Sequence, residues 1–475
     1  MNLQLLLQFL TVPLALISVI WLVRNDSWMT RISAVLFWLQ VAIVTANVLP
    51  VALGTQPELI LSGDLRADRL GSMFIILTQV IAASSMTHAV IFFKFDEPDE
   101  PSTAQRLRFF YTCATLFLLA MTSVFFCNNL GLMWISVEAT TLCSAPLVYF
   151  HRGKHALEAT WKYLIICSVG IAFALFGTMF LFASSQHGAV EGGSLRLSDL
   201  LANAGHLHYA LLKLGYLFCL LGYGTKAGVF PLHSWLPDAH AEAPAPASAM
   251  LSGGLLNCAL FAIWRISQVV NASGHSALPQ IVGVSAGVVT VLFASIFLIR
   301  QHGIKRLLAY SSIENVGLIL TAIGLNSAPL FFILALNHSA AKVALFLLSG
   351  NIVQANGTKS LSEIRGLLSV NPYWTVTLIL AVFAVTGAPP FGAFIAEWQL
   401  LAQVAQNNLW LVFVVLLGAL ALSFLSITMH IGKVVCGTPR EQSVVLPPVS
   451  STLVPACLIV LTLICGLTVI PKFLW

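Results

Sequence analysis

Ionisable side chains inside long apolar runs are the residues of this sequence whose types and positions could do chemistry. A charge at bilayer depth costs roughly 2.5–3.5 kcal/mol on insertion scales, so such residues are rare unless they serve a function. The strong cases are Glu138, Lys226, Lys342 and Glu397, and the weaker ones are Glu314 and His338. The alternative interpretation is a structural one, in which paired charges hold helices in register. One structural pair would need only two of the four strong cases, which favours function.

The chemistry that these residue types suit is proton transfer. Burial disfavours the charged form of a lysine, whereas a carboxylate about 4 Å away favours it. Making or breaking a Glu138–Lys226 pair would therefore load or release a proton, and the pair would titrate as one system. Lys342 and Glu397 would form the onward relay, with water in the gaps.

Proline-rich segments lie beside two of these charges. Pro231 follows Lys226, and Pro389 and Pro390 precede Glu397. Proline removes a backbone donor and clashes with the preceding turn, so both helices should be interrupted near membrane depth. Paired interruptions five helices apart indicate inverted repeats.

The alternative for the first interruption is an ordinary loop, because the polar residues that follow it are expected to meet water: Asp238, His240 and Glu242. His233, close to Pro231, is a possible relay residue, although a structural role is the better interpretation.

The elements that must position these residues are membrane helices. The chain has 475 residues, of which 58% are hydrophobic and 9% charged, with a mean hydropathy of +0.90. Soluble domains carry about 25% charged residues. This composition excludes a cytosolic enzyme, a disordered scaffold and a fibrous repeat. Apolar runs long enough to span predict an all-α polytopic membrane protein with about fourteen transmembrane helices.

Basic residues are distributed unevenly between the predicted loops. Of the 23 Lys and Arg residues, fifteen fall in loops after odd-numbered helices and six on the other side. The positive-inside rule then predicts a bacterial-type cytoplasmic membrane with both termini outside the cytoplasm. The same loops account for the net charge of +5, so no nucleic-acid binding is expected. The first apolar run lacks a basic region and a cleavage site, so we expect a retained span.

Motifs of catalytic or metal-binding centres are missing from the sequence. The nine cysteines form no CxxC pair, and there is no HExxH or Walker A motif. We therefore expect no metal site or cofactor in this chain, and an enzymatic role is left open.

Five motifs in order give the chain a resemblance to a known family. The segment GTKAGVFPLHSWLPDAHAEAPAPASAMLSGGLLNCAL, Gly224 to Leu260, resembles the signature of the antiporter-like subunits shared by respiratory complex I, Mrp-type antiporters and energy-converting membrane hydrogenases. The other four are WISVEATTLCS, IKRLLAYSSIENVG, NHSAAKVALFLLSG and TGAPPFGAFIAEW. Within the family, PLHSWLPDAHAEAP and AYSSIEN look most like the hydrogenase-4 component F group.

The resemblance implies a fold and a set of roles. Glu138 matches the glutamate of the fifth helix, Lys226 and Lys342 the lysines of the seventh and eleventh, and Glu397 an acidic form of the residue on the twelfth. The implied fold has two inverted repeats, helices 4–8 (residues 107–270) and 9–13 (271–435), between flanking regions 1–106 and 436–475. The eighth helix departs from the family pattern, because Ser252 and Asn257 stand where many members carry a lysine or histidine. A relay there must use water, hydroxyls or amides.

The implied function is proton translocation by a membrane subunit of a hydrogenase-4 or formate hydrogenlyase-type complex. Its partners would be lipid, other membrane subunits and a soluble redox arm, a hydrogenase or dehydrogenase that holds the metal centres. The alternatives are a proton-pumping subunit of an NADH:quinone oxidoreductase-like complex, a Mrp-type cation/proton antiporter that also moves sodium, and a purely structural subunit.

Overall fold

A computed structural model of the chain describes residues 3–95, 103–187, 192–438 and 448–473, and most of them are helical. Eleven helices in these ranges are long and apolar enough to cross a membrane. The predicted class, an all-α polytopic membrane protein, is confirmed. The count of about fourteen, the inverted repeats and the domain boundaries stay predictions. Of the basic residues used for orientation, Arg440 and the side chain of Lys472 lie outside the described part.

The N-terminal region contains three helices and a small hairpin. The helices are α1 (Leu3–Leu22), α2 (Asp26–Ala52) and α3 (Arg69–Phe92). Between α2 and α3, strands β1 (Leu59–Ile60) and β2 (Arg66–Ala67) pair antiparallel, with Leu59 opposite Ala67. Asn25 and Asp68 cap α2 and α3 with side-chain oxygens, which accept backbone N–H groups left free at a helix start.

The next region runs from α4 to α11. Its elements are α4 (Thr103–Phe126), α5 (Leu130–Val148), α6 (Lys154–Gln186), α7 (Leu197–Ala202), α8 (Tyr209–Ala227), α9 (Trp235–Glu242), α10 (Ala245–Met250) and α11 (Leu256–Ala272). A 3-10 turn, Ala204–His206, follows α7. A π-helical turn, Leu251–Leu255, joins α10 to α11 into one continuous helix.

The last region runs from α12 to α19. Its elements are α12 (Ala277–Leu298), α13 (Ile304–Gly324), α14 (Ala328–Asn356), α15 (Leu367–Val370), α16 (Pro372–Val385), α17 (Gly392–Gln406), α18 (Trp410–Val435) and α19 (Leu453–Phe473). A 3-10 turn, Val449–Thr452, precedes α19.

The two interruptions predicted from proline are confirmed. The predicted seventh helix is divided into α8 and α9, with Pro231 in the linker, and the twelfth into α16 and α17, with Pro389 and Pro390 in the linker. Left-handed glycines stand at both breaks, Gly228 at φ +83° and Gly387 at φ +65°. Both linkers contain a cis peptide bond, Phe230–Pro231 and Pro389–Pro390.

A few charged groups lie inside the fold, and large apolar side chains cover much of its outside. The outer helices expose large apolar side chains such as Leu22, Val35 and Leu411. The continuous helix Ala245–Ala272, in contrast, is fully buried over its most apolar stretch. An apolar exterior around polar interior residues is the arrangement that a hydrocarbon surrounding requires.

Small residues allow the closest helix contacts. At Gly177 an added side chain would overlap Cys219 of α8, and at Gly222 it would overlap Ala174 of α6. Gly287 and Gly317 meet in the same way between α12 and α13. Close packing at small residues is a main source of helix association where no water drives it.

An ion pair ties α11 to the start of α3. Arg265 donates to both carboxylate oxygens of Asp68, at 2.6 and 2.7 Å, and its guanidinium lies 4.4 Å from the ring centroid of Phe261. A second pair nearby in sequence is more exposed, with Arg196 donating to Asp64 at 2.9 Å. Arg265 thereby joins α11 to the loop before α3, and Arg196 joins the same loop to the start of α7.

Candidate functional site

Lys226 is fully buried at the end of α8, directly before the first break. Its Nζ donates to the Oγ1 of Thr141 and to the phenolic oxygen of Tyr163, both at 2.7 Å. The Tyr163 oxygen in turn lies 2.6 Å from the Oγ of Ser144. The buried ammonium group thus donates hydrogen bonds to two hydroxyl groups, which act as acceptors.

Glu138 reaches this cluster through a hydroxyl group. Thr141 donates to one carboxylate oxygen of Glu138 at 3.0 Å, and Ser168 donates to the other at 3.1 Å. Ser168 is exposed and Glu138 partly exposed, so the carboxylate lies at the edge of the molecule. The structure therefore forms a chain from Lys226 through Thr141 to Glu138, where the sequence predicts a direct pair.

Lys342 lies on α14 and is also fully buried. Its Nζ donates to the carbonyl oxygen of Leu308 on α13 at 3.1 Å, and it interacts electrostatically with Glu314. Glu397 interacts electrostatically with Glu314 as well. Three of the predicted ionisable groups therefore lie near one another around the buried faces of α13, α14 and α17.

Glu397 is held against the second break. Its carboxylate packs so closely on Gly387 that a side chain at that position would overlap it. Gly387 also has a left-handed backbone, which favours glycine. The missing side chain of Gly387 thus leaves the space at the second break that the carboxylate of Glu397 occupies.

Serine hydroxyls connect the π turn between α10 and α11, the predicted eighth helix, with the lysine on α14. The Oγ of Ser252 lies 2.9 Å from the Oγ of Ser312, which also donates to the carbonyl of Leu308, the acceptor of Lys342. The π turn that carries Ser252 is a feature often found at functional sites. Ser252, proposed from sequence as a relay residue, is therefore within two hydrogen bonds of the Leu308 carbonyl.

Asn257 belongs to a neighbouring polar contact. Its Nδ2 donates to Ser339 at 2.8 Å and to the carbonyl of Gly253 at 2.9 Å, while its Oδ1 is buried without a hydrogen-bond partner. Among the described residues, no hydrogen bond joins Ser252 or Asn257 to the Lys226 cluster.

The histidines differ in their surroundings. His338 is buried on α14, close to Lys342 and to the backbone of Ser252. His233 packs among aromatic rings, 5.5 Å from Phe230 and 6.1 Å from Tyr310, which fits a structural role. The expectation that His240 meets water is wrong, because its ring is fully buried against Phe346 at 4.8 Å.

Thr141, Tyr163 and Ser312 are site residues that sequence reasoning missed. Thr141 follows Glu138 by three positions, a spacing that brings two side chains together on a helix. That spacing is the one available signal, because hydroxyl residues are frequent in membrane helices. In the described ranges, no group of three or more His, Cys, Asp or Glu side chains could hold a metal ion.

Comparisons with known proteins agree with this architecture. Residues 127–423, more than half of the chain, match the family described as NADH:quinone oxidoreductase/Mrp antiporter, TM. The chain is 36% identical to a hydrogenase-4 component F homolog of Methylacidiphilum infernorum over 398 residues, 82% of each protein. It is 27% identical to NADH-quinone oxidoreductase subunit N of Desulforudis audaxviator over 360 residues, 74% of this chain and 69% of that protein.

A solved structure extends the likeness to nearly the whole chain. A chain of the membrane-bound sulfane sulfur reductase, an archaeal respiratory membrane complex, superposes with a TM-score of 0.85 at 21% identity. The superposition covers 99% of this chain and 95% of the other. At this level of identity the likeness supports a common fold and nothing further.

Proposed function

The chain belongs to the NADH:quinone oxidoreductase/Mrp antiporter family of membrane subunits, and on this premise we propose that it translocates protons within a redox-driven complex of the hydrogenase-4 type. The observation that carries the proposal is the environment of Lys226. A fully buried ammonium group is bound by hydroxyls that lead to a carboxylate at the edge of the molecule. Such groups are the components of a proton relay.

The proposed path has two halves. In the first, a proton moves between Glu138 and Lys226 through the hydroxyl of Thr141, which accepts from one and donates to the other. In the second, it moves among Lys342, Glu314 and Glu397. Water and the hydroxyls of Ser252 and Ser312 would carry it between the halves, since the helix Ala245–Ala272 has no lysine, histidine or carboxylate.

The position of Glu138 supports assembly with other membrane subunits. A partly exposed carboxylate on a membrane helix would face hydrocarbon if nothing covered it, and that is costly. A neighbouring membrane subunit that shields Glu138 removes this cost. We further propose that the redox centres lie in a soluble arm bound to such subunits, and that both termini lie outside the cytoplasm of a bacterial-type membrane.

The test uses the complex purified through this chain and reconstituted in vesicles. Protons moved per electron pair are measured with a pH-sensitive dye, alongside electron transfer and subunit content. Lys226→Ala should abolish most proton movement while the complex stays assembled. Lys213→Ala is the matched control, because Lys213 is an exposed lysine on the same helix.

Two results would contradict the proposal. Unchanged proton movement in an assembled Lys226→Ala complex would leave a structural role only. Proton movement that requires sodium and proceeds without electron transfer would instead indicate a self-sufficient cation/proton exchanger.

A further inference from the structure

The short helix α9 forms ion pairs with basic side chains of two different helices, α6 and α13. The carboxylate of Asp238 accepts from Lys162 of α6 at 3.2 Å and pairs closely with Arg306 in the first turn of α13. Its side chain is only 16% exposed. One carboxylate with little access to water therefore joins two helices that belong to different halves of the proposed path.

The same face of α9 contacts the surroundings of Lys226. Trp235, three positions before Asp238, packs on Tyr163 with ring centroids 4.8 Å apart and donates to the carbonyl of Thr225 at 2.9 Å. Positions three apart lie on one side of a helix. Lys162 and Tyr163 are consecutive, so α6 holds α9 at two points, and one of these residues binds Lys226 directly.

On its other side, Asp238 is connected to the surroundings of Lys342. Two residues after Arg306, the carbonyl of Leu308 accepts from Lys342. Lys305 adds a second tie, because its Nζ donates to the carbonyl of Ala243, directly after α9, at 2.8 Å. A displacement of α13 relative to α6 must therefore either move α9 or break a contact of Asp238.

We propose that Asp238 is a positioning residue that couples the two halves of the proton path by holding α6 and α13 to one short helix. This inference rests on the proposed function. We call the two contacts of Asp238, with Lys162 and with Arg306, the clamp. While the clamp is closed, Tyr163 keeps its hydrogen bond with Lys226 and the carbonyl of Leu308 keeps its hydrogen bond with Lys342. A shift of α9 changes the hydrogen bonding of both lysines together, so a proton step at one is linked to a step at the other.

The test is Asp238→Asn in the reconstituted complex, since asparagine keeps the shape and removes the charge. Assembly and electron transfer should be retained, whereas protons moved per electron pair should fall roughly 2- to 30-fold, the range in which substitutions along coupling networks act. Asp238→Glu should restore most of the ratio. A residue that only stabilises the fold would lower subunit content and all activities together.

Glu158→Gln is the matched control. Glu158 also pairs with Lys162, at 2.6 Å, but its side chain is 60% exposed and the contact lies within α6. Its loss should leave the proton ratio unchanged.

The outcomes separate this inference from the proposed function. An unchanged ratio in Asp238→Asn, with proton movement lost in Lys226→Ala, overturns the coupling role alone. An unchanged ratio in Lys226→Ala overturns the proposed function as well. If Asp238→Asn does not assemble, Arg306→Gln removes one side of the clamp and leaves the other, and an unchanged ratio in that variant overturns the coupling role.

Discussion

Glu138 and Lys226 are joined by a single hydroxyl group. The Oγ1 of Thr141 lies 2.7 Å from the Nζ of Lys226 and 3.0 Å from a carboxylate oxygen of Glu138. A threonine side chain can rotate about one bond, so it can open or close this connection without moving a helix. In the proposed path, proton exchange between the two ionisable groups would therefore depend on a neutral residue.

Replacing Thr141 by valine should slow proton movement. A hydrogen bond to a charged group is worth about 1.5–3 kcal/mol, and about 1.4 kcal/mol corresponds to a factor of ten in rate, so we expect about a tenfold loss or more in the reconstituted complex. Thr141→Ser, which keeps the hydroxyl, should retain most of the rate. Thr160→Val is the control, because Thr160 bonds only to its own helix. Equal rates in the valine and serine variants would contradict a role for the hydroxyl.

Replacing Gly387 by alanine should displace Glu397. The new methyl group would overlap the carboxylate, and a left-handed backbone adds about 1–2 kcal/mol for any residue with a side chain. We expect less assembled complex and a loss of proton movement in the complex that remains. At Gly418 on α18 nothing lies within 4 Å of an added side chain. Gly418→Ala should therefore leave both quantities unchanged, and a wild-type proton ratio in Gly387→Ala would refute this account of the break.

Replacing Ser252 by alanine should weaken the connection between the two halves of the path. The change removes the 2.9 Å contact with Ser312 at the π turn. A neutral hydrogen bond contributes about 0.5–1.5 kcal/mol, which corresponds to a two- to tenfold decrease in proton movement at unchanged electron transfer. Ser349→Ala is the matched control, since Ser349 is buried on α14 and donates only to its own helix. If both variants lost the same fraction, the effect would be one of general packing.

Replacing Asp68 by asparagine should lower the stability of the fold. Burial by itself raises the pKa of the Asp68 carboxyl, but the charge and hydrogen bonds of Arg265, with the N–H of Gly71, hold that pKa below its usual value of 3.8. Loss of the charged acceptor should cost about 1.5–3 kcal/mol, measured by denaturation in detergent at neutral pH. Asp64→Asn breaks the more exposed pair with Arg196 and should cost much less, because water screens exposed ion pairs.

The pH dependence of the Asp68 pair follows from the sign of that shift. A carboxyl whose pKa is lowered by folding stabilises the folded state fully above its unfolded pKa. The stabilisation is lost as the pH falls through the lowered pKa. The difference in stability between wild type and Asp68→Asn should therefore be constant above about pH 5 and shrink below 3.8. A difference that stayed constant at acidic pH would contradict the charge-based explanation.

The sequence predicts the breaks and the buried charges because each has a strong local cause. Proline close to glycine favours a break in a helix, and Lys226 and Lys342 stand out from apolar neighbours. Hydroxyl groups carry no comparable signal, so Thr141 and Tyr163 could be recognised only once α5, α6 and α8 were packed together. The error at His240 has a related cause. Its acidic neighbours indicate a wet surface, yet α9 turns this one side chain onto Phe346.

The burial of the helix Ala245–Ala272 has a consequence for biosynthesis. This segment packs on α3 and α4, which precede it in the chain, and on α13 and α14, which follow it. When it leaves the ribosome, the later half of its enclosure has not yet been made. Until α14 has been synthesised, Asn257 of this segment lacks its partner Ser339, so truncation before α14 should leave a product that quality-control proteases degrade.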